Sequence, residues 1–243
     1  MFYFDEINGK KILRSDLLNA EHFFTTRESF IKTKEPEFEK TAAENSAEIM
    51  KYLGVKNLIS PNQTHTSNVQ IVCGDTKDYP DTDGLILTDK DNAIFLNFAD
   101  CTPVIIYDKE YNIGAVSHAG WRGTAGKIAV KTVEKMTAVF ASNTENIIAV
   151  IGPAISMCCY NVGDDVLKKL KATVQNFEGL YEIRNGEIFV DLKGINKRQL
   201  EECGVKKIDV CPYCTVCDND MFFSYRKENA TPEELLYENR ILG

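Results

Sequence analysis

Pro103-Val104-Ile105-Ile106-Tyr107-Asp108-Lys109-Glu110-Tyr111-Asn112-Ile113-Gly114-Ala115-Val116-Ser117 holds two short apolar runs parted by a segment containing Asp108 and Asn112. Runs this short, bounded by turn residues, read as strands rather than helix. Similar runs precede them at 57–60, 68–72, 84–87 and 93–98, with Gly, Asp and Asn between them. Upstream, residues 36–53 read as a helix: Pro36 opens it, Phe38, Ala42, Ile49 and Leu53 recur at helical spacing, and Gly54 closes it. Downstream, residues 123–141 read as one amphipathic helix, with Ile128, Ala129, Val133, Met136, Val139 and Phe140 on its apolar face. A strand at 147–151 and a helix at 164–174 come next. Then follow a strand at 188–192, a helix at 195–203, and strands at 207–211 and 221–225. Several adjacent strands in mixed order predict a layered α/β (α+β) architecture rather than a doubly wound parallel sheet. With no repeat, charge block or Ser/Gly/Pro-rich linker, residues 1–243 are expected to form a single domain.

The chain has 243 residues, 44% hydrophobic and 26% charged, which excludes disordered and fibrous classes. Its net charge of −8 argues against steering toward a polyanion, so no nucleic-acid partner is expected. Met1–Glu6 carries no basic segment leading into an apolar run. Residues 146–163 are uncharged, but Gly152-Pro153, Ser156 and Asn161 make a poor membrane span. Eight cysteines without an export signal read as reduced thiols or ligands, and a soluble, cytoplasmic protein is expected. No G-x-G-x-x-G, P-loop or G-x-S-x-G element is present, so dinucleotide, triphosphate and α/β-hydrolase chemistry lack support.

Histidine is scarce: the chain has His22, His65 and His118. His65 and His118 stand in polar turns at strand ends, and Cys101 lies between them at another strand-to-loop junction. Two imidazoles and a thiolate would make a three-ligand Zn²⁺ site with an open position. Equally, Cys101 could be a nucleophile with His118 as its base, and spacing does not separate the two readings. After His118, Gly120, Gly123 and Gly126 allow close backbone approach, and Arg122 beside a helix start suggests a site for an anion such as phosphate. Cys211-Pro212-Tyr213-Cys214-Thr215-Val216-Cys217 lacks the fourth cysteine of a ferredoxin run, since Met221 and Phe222 stand further on. Cys203 could complete a structural zinc site with that cluster. Cys158-Cys159 reads as packing, and Phe222-Phe223-Ser224-Tyr225-Arg226 as a strand with a buried aromatic face.

Taken together, several motifs resemble the family named for a laccase domain, also called multicopper polyphenol oxidase, purine nucleoside phosphorylase or peptidoglycan editing factor. They are Gln63-Thr64-His65, Asp83-Gly84, Ala99-Asp100-Cys101-Thr102-Pro103 and His118-Ala119-Gly120-Trp121-Arg122-Gly123-Thr124, followed by Ile151-Gly152-Pro153-Ala154-Ile155, Cys159-Tyr160-Asn161-Val162, Cys214-Thr215 and Phe222-Phe223-Ser224-Tyr225-Arg226. The resemblance implies a layered α/β/β/α sandwich with mixed sheets and a zinc ion on His65, Cys101 and His118. It further implies phosphorolysis of adenosine, inosine and methylthioadenosine, with adenosine deamination as a companion activity. Gln63, Asp83, Asp100, Gly120, Arg122 and Arg27 are carried over as candidates for holding substrate and phosphate, with Asp100 or Asp83 as proton shuttle. The chain departs from the family pattern in three places: Glu28-Ser29-Phe30 follows Arg27, Thr66 replaces a glycine, and Ala230-Thr231-Pro232 replaces a Thr-Gly-Arg. The rival chemistries are a cysteine hydrolase on Cys101 and His118, editing of peptidoglycan precursors, and copper-dependent oxidation. Three histidines are too few for the last.

Overall fold

The computed structural model describes residues 1–32, 36–74, 76 and 78–228. The replacement at Ala230-Thr231-Pro232 lies outside the described residues. In chain order the elements begin with strands β1 (Phe2–Ile7), β2 (Lys10–Ser15) and β3 (Phe24–Thr25), a 3₁₀ turn over Pro36–Phe38, and helix α1 (Glu39–Leu53). Strands β4 (Asn57–Ile59), β5 (Val69–Ile71), β6 (Gly84–Leu87), β7 (Asn92–Ile94), β8 (Thr102–Asp108) and β9 (Ile113–Ala119) follow. Next come helices α2 (Trp121–Ala125) and α3 (Ile128–Phe140), strands β10 (Ile147–Ile151) and β11 (Asn161–Val162), and helix α4 (Asp164–Lys171). The described chain ends with β12 (Tyr181–Arg184), β13 (Glu187–Val190), helix α5 (Leu192–Glu202), β14 (Lys207–Val210) and helix α6 (Tyr225–Glu228).

A six-stranded mixed sheet, in the order β14-β10-β8-β9-β6-β5, forms the centre. Its outer pairs β10–β14 and β5–β6 are parallel and its inner pairs antiparallel. Strand β10 shows why it must lie inside: all five of its residues are buried. With a side-chain period of two, Ile147, Ala149 and Ile151 face one way and join Val104, Ile106 and Ala115 in packing against Ile128, Val133 and Met136 of α3 and Leu200 of α5. Ile148 and Val150 face the other way, onto Phe2, Leu18 and Phe24 of the β1–β3 region. Behind that antiparallel three-stranded sheet lies α1, tied to it by Lys10 Nζ to Asn45 Oδ1 at 2.5 Å and Arg14 to the Tyr52 hydroxyl at 2.8 Å. Helices, sheet, sheet and helix therefore stack in the expected α/β/β/α order. Such covering of both faces is what a continuous apolar strand requires. Two small sheets, β11-β13-β12 and β4-β7, flank the centre. Among the described residues no helix is long and apolar enough to cross a membrane.

Three expectations are corrected. The single helix over 123–141 is two, because Lys127 takes a left-handed conformation (φ 55°) and ends the first after five residues. Gly126, just before it, sits where a Cβ would lie 2.6 Å from Ser67 Oγ, so the break brings the 64–68 loop against the helix. The strand over 221–225 is a turn leading into α6: the amides of Met221 and Phe222 both donate to the Asp218 carbonyl, at 3.0 and 3.1 Å, leaving no ladder to make. The run at 93–98 pairs only over β7, beyond which Asn97 N donates to the Gln63 side chain at 2.8 Å.

Candidate metal centre

Strand pairing explains how residues far apart in sequence meet. In the β8–β9 ladder Thr102 faces Ala119 and Pro103 faces His118, so Cys101, just before β8, abuts Gly120, just after β9. In the β6–β9 ladder Gly84 faces Ser117, which places Asp83 beside His118, whose amide donates to the Asp83 carbonyl at 2.7 Å. His65 arrives from the 61–68 loop in a left-handed conformation (φ 63°). That loop is held by the same Asp83 carboxylate, which accepts from the amides of Thr64, His65 and Thr66 at 3.2, 3.1 and 2.7 Å and from the Thr66 hydroxyl at 2.9 Å.

One ligand atom each from His65, Cys101 and His118 lies within 4.8 Å of the others. The imidazole rings of His65 and His118 meet edge to face at a centroid distance of 4.9 Å, and Phe98 packs on His118 at 5.3 Å. His118 Nδ1 is 2.7 Å from Asp83 Oδ1, which leaves Nε2 for the cluster. Gly120 completes the cradle, since a Cβ there would lie 2.8 Å from Cys101 Sγ and 3.5 Å from His65 Cδ2. Two imidazoles, a thiol, a carboxylate behind one imidazole and a residue without a side chain fit a three-ligand zinc site with an open position.

The charges are strongly coupled. Burial would push the Cys101 thiol up, but the His118 charge and hydrogen bonds from His118 and His65 bring it down to about 7. Burial would lower His118, yet the Cys101 thiolate and the Asp83 carboxylate raise it to about 9. Burial also works against the Asp83 carboxylate, and its bonds to His118 and Thr66 outweigh that and hold it at about 2.

The remaining candidates separate. Asp83 is fully buried and its oxygens are taken by the loop amides and His118, so it holds the loop and the imidazole in place. Asp100 (φ 88°) accepts from the Thr215 hydroxyl at 2.6 Å and from the Arg226 amide at 2.7 Å, so both its oxygens are engaged as well. Gln63 bridges two loops, its Nε2 donating to the Asn97 carbonyl at 2.9 Å. Arg122 is exposed and stacks on Trp121 at 4.6 Å. Helix α2 starts at Trp121, straight after Gly120, and has five residues. Arg27 stacks on Phe223 at 4.4 Å and bonds to the Asn219 carbonyl and to Glu228, a structural clasp. Tyr160 and Asn161 carried only their resemblance in the sequence. The Arg226 guanidinium donates to Asn161 Oδ1 at 2.6 Å and lies 5.5 Å from the Tyr160 ring, and Tyr160 feels the charges of Cys101, Arg226, Asp100 and Arg122. These residues make one wall beside the centre.

His22 is elsewhere. Its Nε2 accepts from the Ser15 amide at 3.1 Å and its Nδ1 donates to the Ala20 carbonyl at 2.8 Å. With both nitrogens committed there, two imidazoles remain for the centre, too few for a multicopper assembly. The cysteines also regroup. Cys203 Sγ donates to the Leu200 carbonyl at 3.2 Å in the main core, and Cys211 is buried with Leu13 and Phe222, so neither joins Cys214 and Cys217. Cys158 and Cys159 do, so their reading as packing is corrected too.

Residues 31–233 match the family model described as multi-copper polyphenol oxidoreductase laccase. The chain is 35% identical over 195 residues, 76% of its length and 77% of the relative's, to a protein of Clostridium acetobutylicum named purine nucleoside phosphorylase. It is 32% identical over 234 residues, 90% and 88% of the two chains, to a Deinococcus radiodurans protein of the same name. A protein named adenosine deaminase RL5, from an unknown prokaryotic organism, is 33% identical over 185 residues, 70% of each chain. Among solved structures, YlmD of Geobacillus stearothermophilus superposes with a TM-score of 0.80 at 26% identity, over 94% of both chains.

Proposed function

Because the chain belongs to the multi-copper polyphenol oxidoreductase laccase family, with relatives named for nucleoside chemistry, we propose that it is a purine nucleoside phosphorylase with adenosine deaminase as a second activity, working at a zinc centre on His65, Cys101 and His118. The observation that carries this reading is the convergence of those three side chains, with Asp83 behind one of them. When bound there, zinc would supply a Lewis acid with an open coordination position.

The chain's own residues do the rest. Asp83 fixes the His118 tautomer by accepting a hydrogen bond from its Nδ1–H, so that Nε2 points its lone pair at the centre. Asp83 also pins the 64–66 amides and holds His65 in its left-handed conformation. Arg122 and Arg226, on the Tyr160 side, provide positive charge for phosphate and for the departing purine. In phosphorolysis a phosphate oxygen bonds to the anomeric carbon as the glycosidic C–N bond breaks, and the proton given up by the monohydrogen phosphate passes to the departing purine. In deamination a water oxygen bonds to C6 of adenine and ammonia leaves.

A panel of nucleosides incubated with and without phosphate, read by mass spectrometry beside elemental analysis, tests this. Ribose-1-phosphate formed from inosine or adenosine only with phosphate, by protein carrying zinc, is the expected result. Neither ribose-1-phosphate nor inosine appearing from adenosine would overturn it. A milder prediction concerns Gly120. Gly120→Ala sets a methyl against Cys101 Sγ and is expected to weaken zinc binding by about 10- to 100-fold, measured by competition with a chromogenic chelator.

A second reading rests on a specific geometry. Asp83, His118 and Cys101 form a carboxylate–imidazole–thiol series like that of a cysteine hydrolase. Stoichiometric alkylation of Cys101 in metal-free protein, with hydrolytic activity retained until it is alkylated, would favour that reading over the zinc enzyme.

A further inference from the structure

Cys158, Cys159, Cys214 and Cys217 bring their four sulfurs within 4.8 Å of one another, although 54 residues lie between Cys159 and Cys214. Cys217 Sγ lies 3.6 Å from Cys158 Sγ and 3.5 Å from Cys159 Sγ. All eight cysteines of the chain are free thiols, and a disulfide would need sulfurs at about 2.05 Å. A tetrahedron with zinc–sulfur bonds of about 2.3 Å has sulfur–sulfur edges of about 3.8 Å. The observed separations match that figure rather than a disulfide.

The surroundings are also those of a thiolate cage. Cys214-Thr215-Val216-Cys217 turns back on itself, and the amides of Ser156, Val216 and Cys217 point at Cys214 Sγ, the first at 3.4 Å. Amide donors around a sulfur favour its charged form. Lys193 is 5% exposed, and its ammonium donates to the carbonyls of Cys211 and Tyr213 at 2.8 and 2.9 Å, within reach of the charges of Cys214 and Cys158. It provides a positive charge against the net −2 of a divalent ion held by four thiolates. Cys158 and Cys217 are exposed, which gives an ion a way in.

We propose that Cys158, Cys159, Cys214 and Cys217 form a second, structural zinc site, separate from the centre at His65, Cys101 and His118. On binding, four S–H bonds are exchanged for four S–Zn bonds and up to four protons go to solvent. No oxidant or reductant is needed. The ion joins two turns that otherwise meet through the short Ala154–Cys214 bridge and the Thr215 amide on the Ala154 carbonyl at 3.2 Å. One of these turns leads into Tyr160, and the other carries Thr215, whose hydroxyl holds Asp100, the residue before Cys101. The site staples the wall beside the catalytic centre and need not touch substrate.

This proposal stands independently of the nucleoside reading, and zinc counting on purified protein keeps the two apart. The parent is expected to carry two zinc ions per chain, Cys101→Ala one, and Cys217→Ser and Cys159→Ser one each, with Cys211→Ser retaining two. The Cys217→Ser protein is expected to melt about 5 °C or more below the parent. If the serine variants do not fold, titrating the parent and Cys101→Ala with an organomercurial and a zinc-sensitive dye gives the same answer: two ions released against one. Cobalt(II) taken up by Cys101→Ala should show intense sulfur-to-metal charge-transfer absorption that Cys217→Ser in the same background lacks. A parent with one zinc, lost in Cys101→Ala and kept in Cys217→Ser, would overturn the second site and leave the first. One zinc kept in Cys101→Ala and lost in Cys217→Ser would do the reverse. A disulfide found between any of the four cysteines by peptide mapping of anaerobically purified protein would also overturn the second site.

Discussion

Cys101→Ala is expected to lose purine nucleoside phosphorolysis by on the order of a thousandfold, or about 4 kcal/mol of transition-state stabilisation, while remaining folded. In the proposed centre the thiol is one of three ligands, placed beside Gly120 by the β8–β9 register and within 4.8 Å of a nitrogen of each imidazole. Its removal leaves two nitrogens, a set that binds zinc weakly and orients it poorly. Cys101 itself is only half-buried and the strands on either side are unchanged, so the fold should tolerate the smaller side chain. Steady-state kinetics on inosine, with circular dichroism to confirm the fold, measure the effect. Parent-like turnover with phosphate would show that the thiol holds nothing the reaction needs, and the zinc reading would fall with it.

Asp83→Asn is expected to be nearly as damaging, by a different route. One carboxylate oxygen accepts His118 Nδ1–H and the His65 amide; the other accepts the amides of Thr64 and Thr66 and the Thr66 hydroxyl. An asparagine offers one acceptor oxygen, and its NH₂ must then face donors on the other side in a fully buried place. The cost should be roughly 2–4 kcal/mol in stability, a fall of about 8 °C in Tm. Zinc affinity should also drop by about 10- to 100-fold, because His118 loses its fixed tautomer and His65 its support. Thermal unfolding and zinc competition test the two effects separately. A variant with parent Tm and parent affinity would mean that the carboxylate is dispensable.

What could be read before folding differed from element to element. Strand β10 announced itself, since five consecutive aliphatic residues with Gly152-Pro153 after them admit few alternatives. The N-terminal hairpin is legible in the chain: Asn8-Gly9 sits between two strand-like runs and takes left-handed values of φ 51° and 76°, the signal for a two-residue turn. Asn185-Gly186, between β12 and β13, repeats it with φ 52° and 84°. The strand expected at 221–225 does not form because the Met221 and Phe222 amides close a local turn onto the Asp218 carbonyl, and aromatic residues alone do not supply a partner strand.

The sequence by itself determined which chemistry was affordable: three imidazoles, eight thiols, no nucleotide-binding glycine motif and too few histidines for a copper cluster. These are matters of side-chain type, and no folding can add a donor the chain lacks. Tertiary structure alone decided which donors meet. Ladder register put Cys101 against Gly120 and Asp83 against His118. A loop pinned by Asp83 brought His65 across, and two distant turns gathered four cysteines while passing over Cys203 and Cys211. Local propensity acts over a few residues, whereas ligand geometry is fixed by pairings between strands and loops tens of residues apart, so the inventory was written in the chain and the assembly only in the fold.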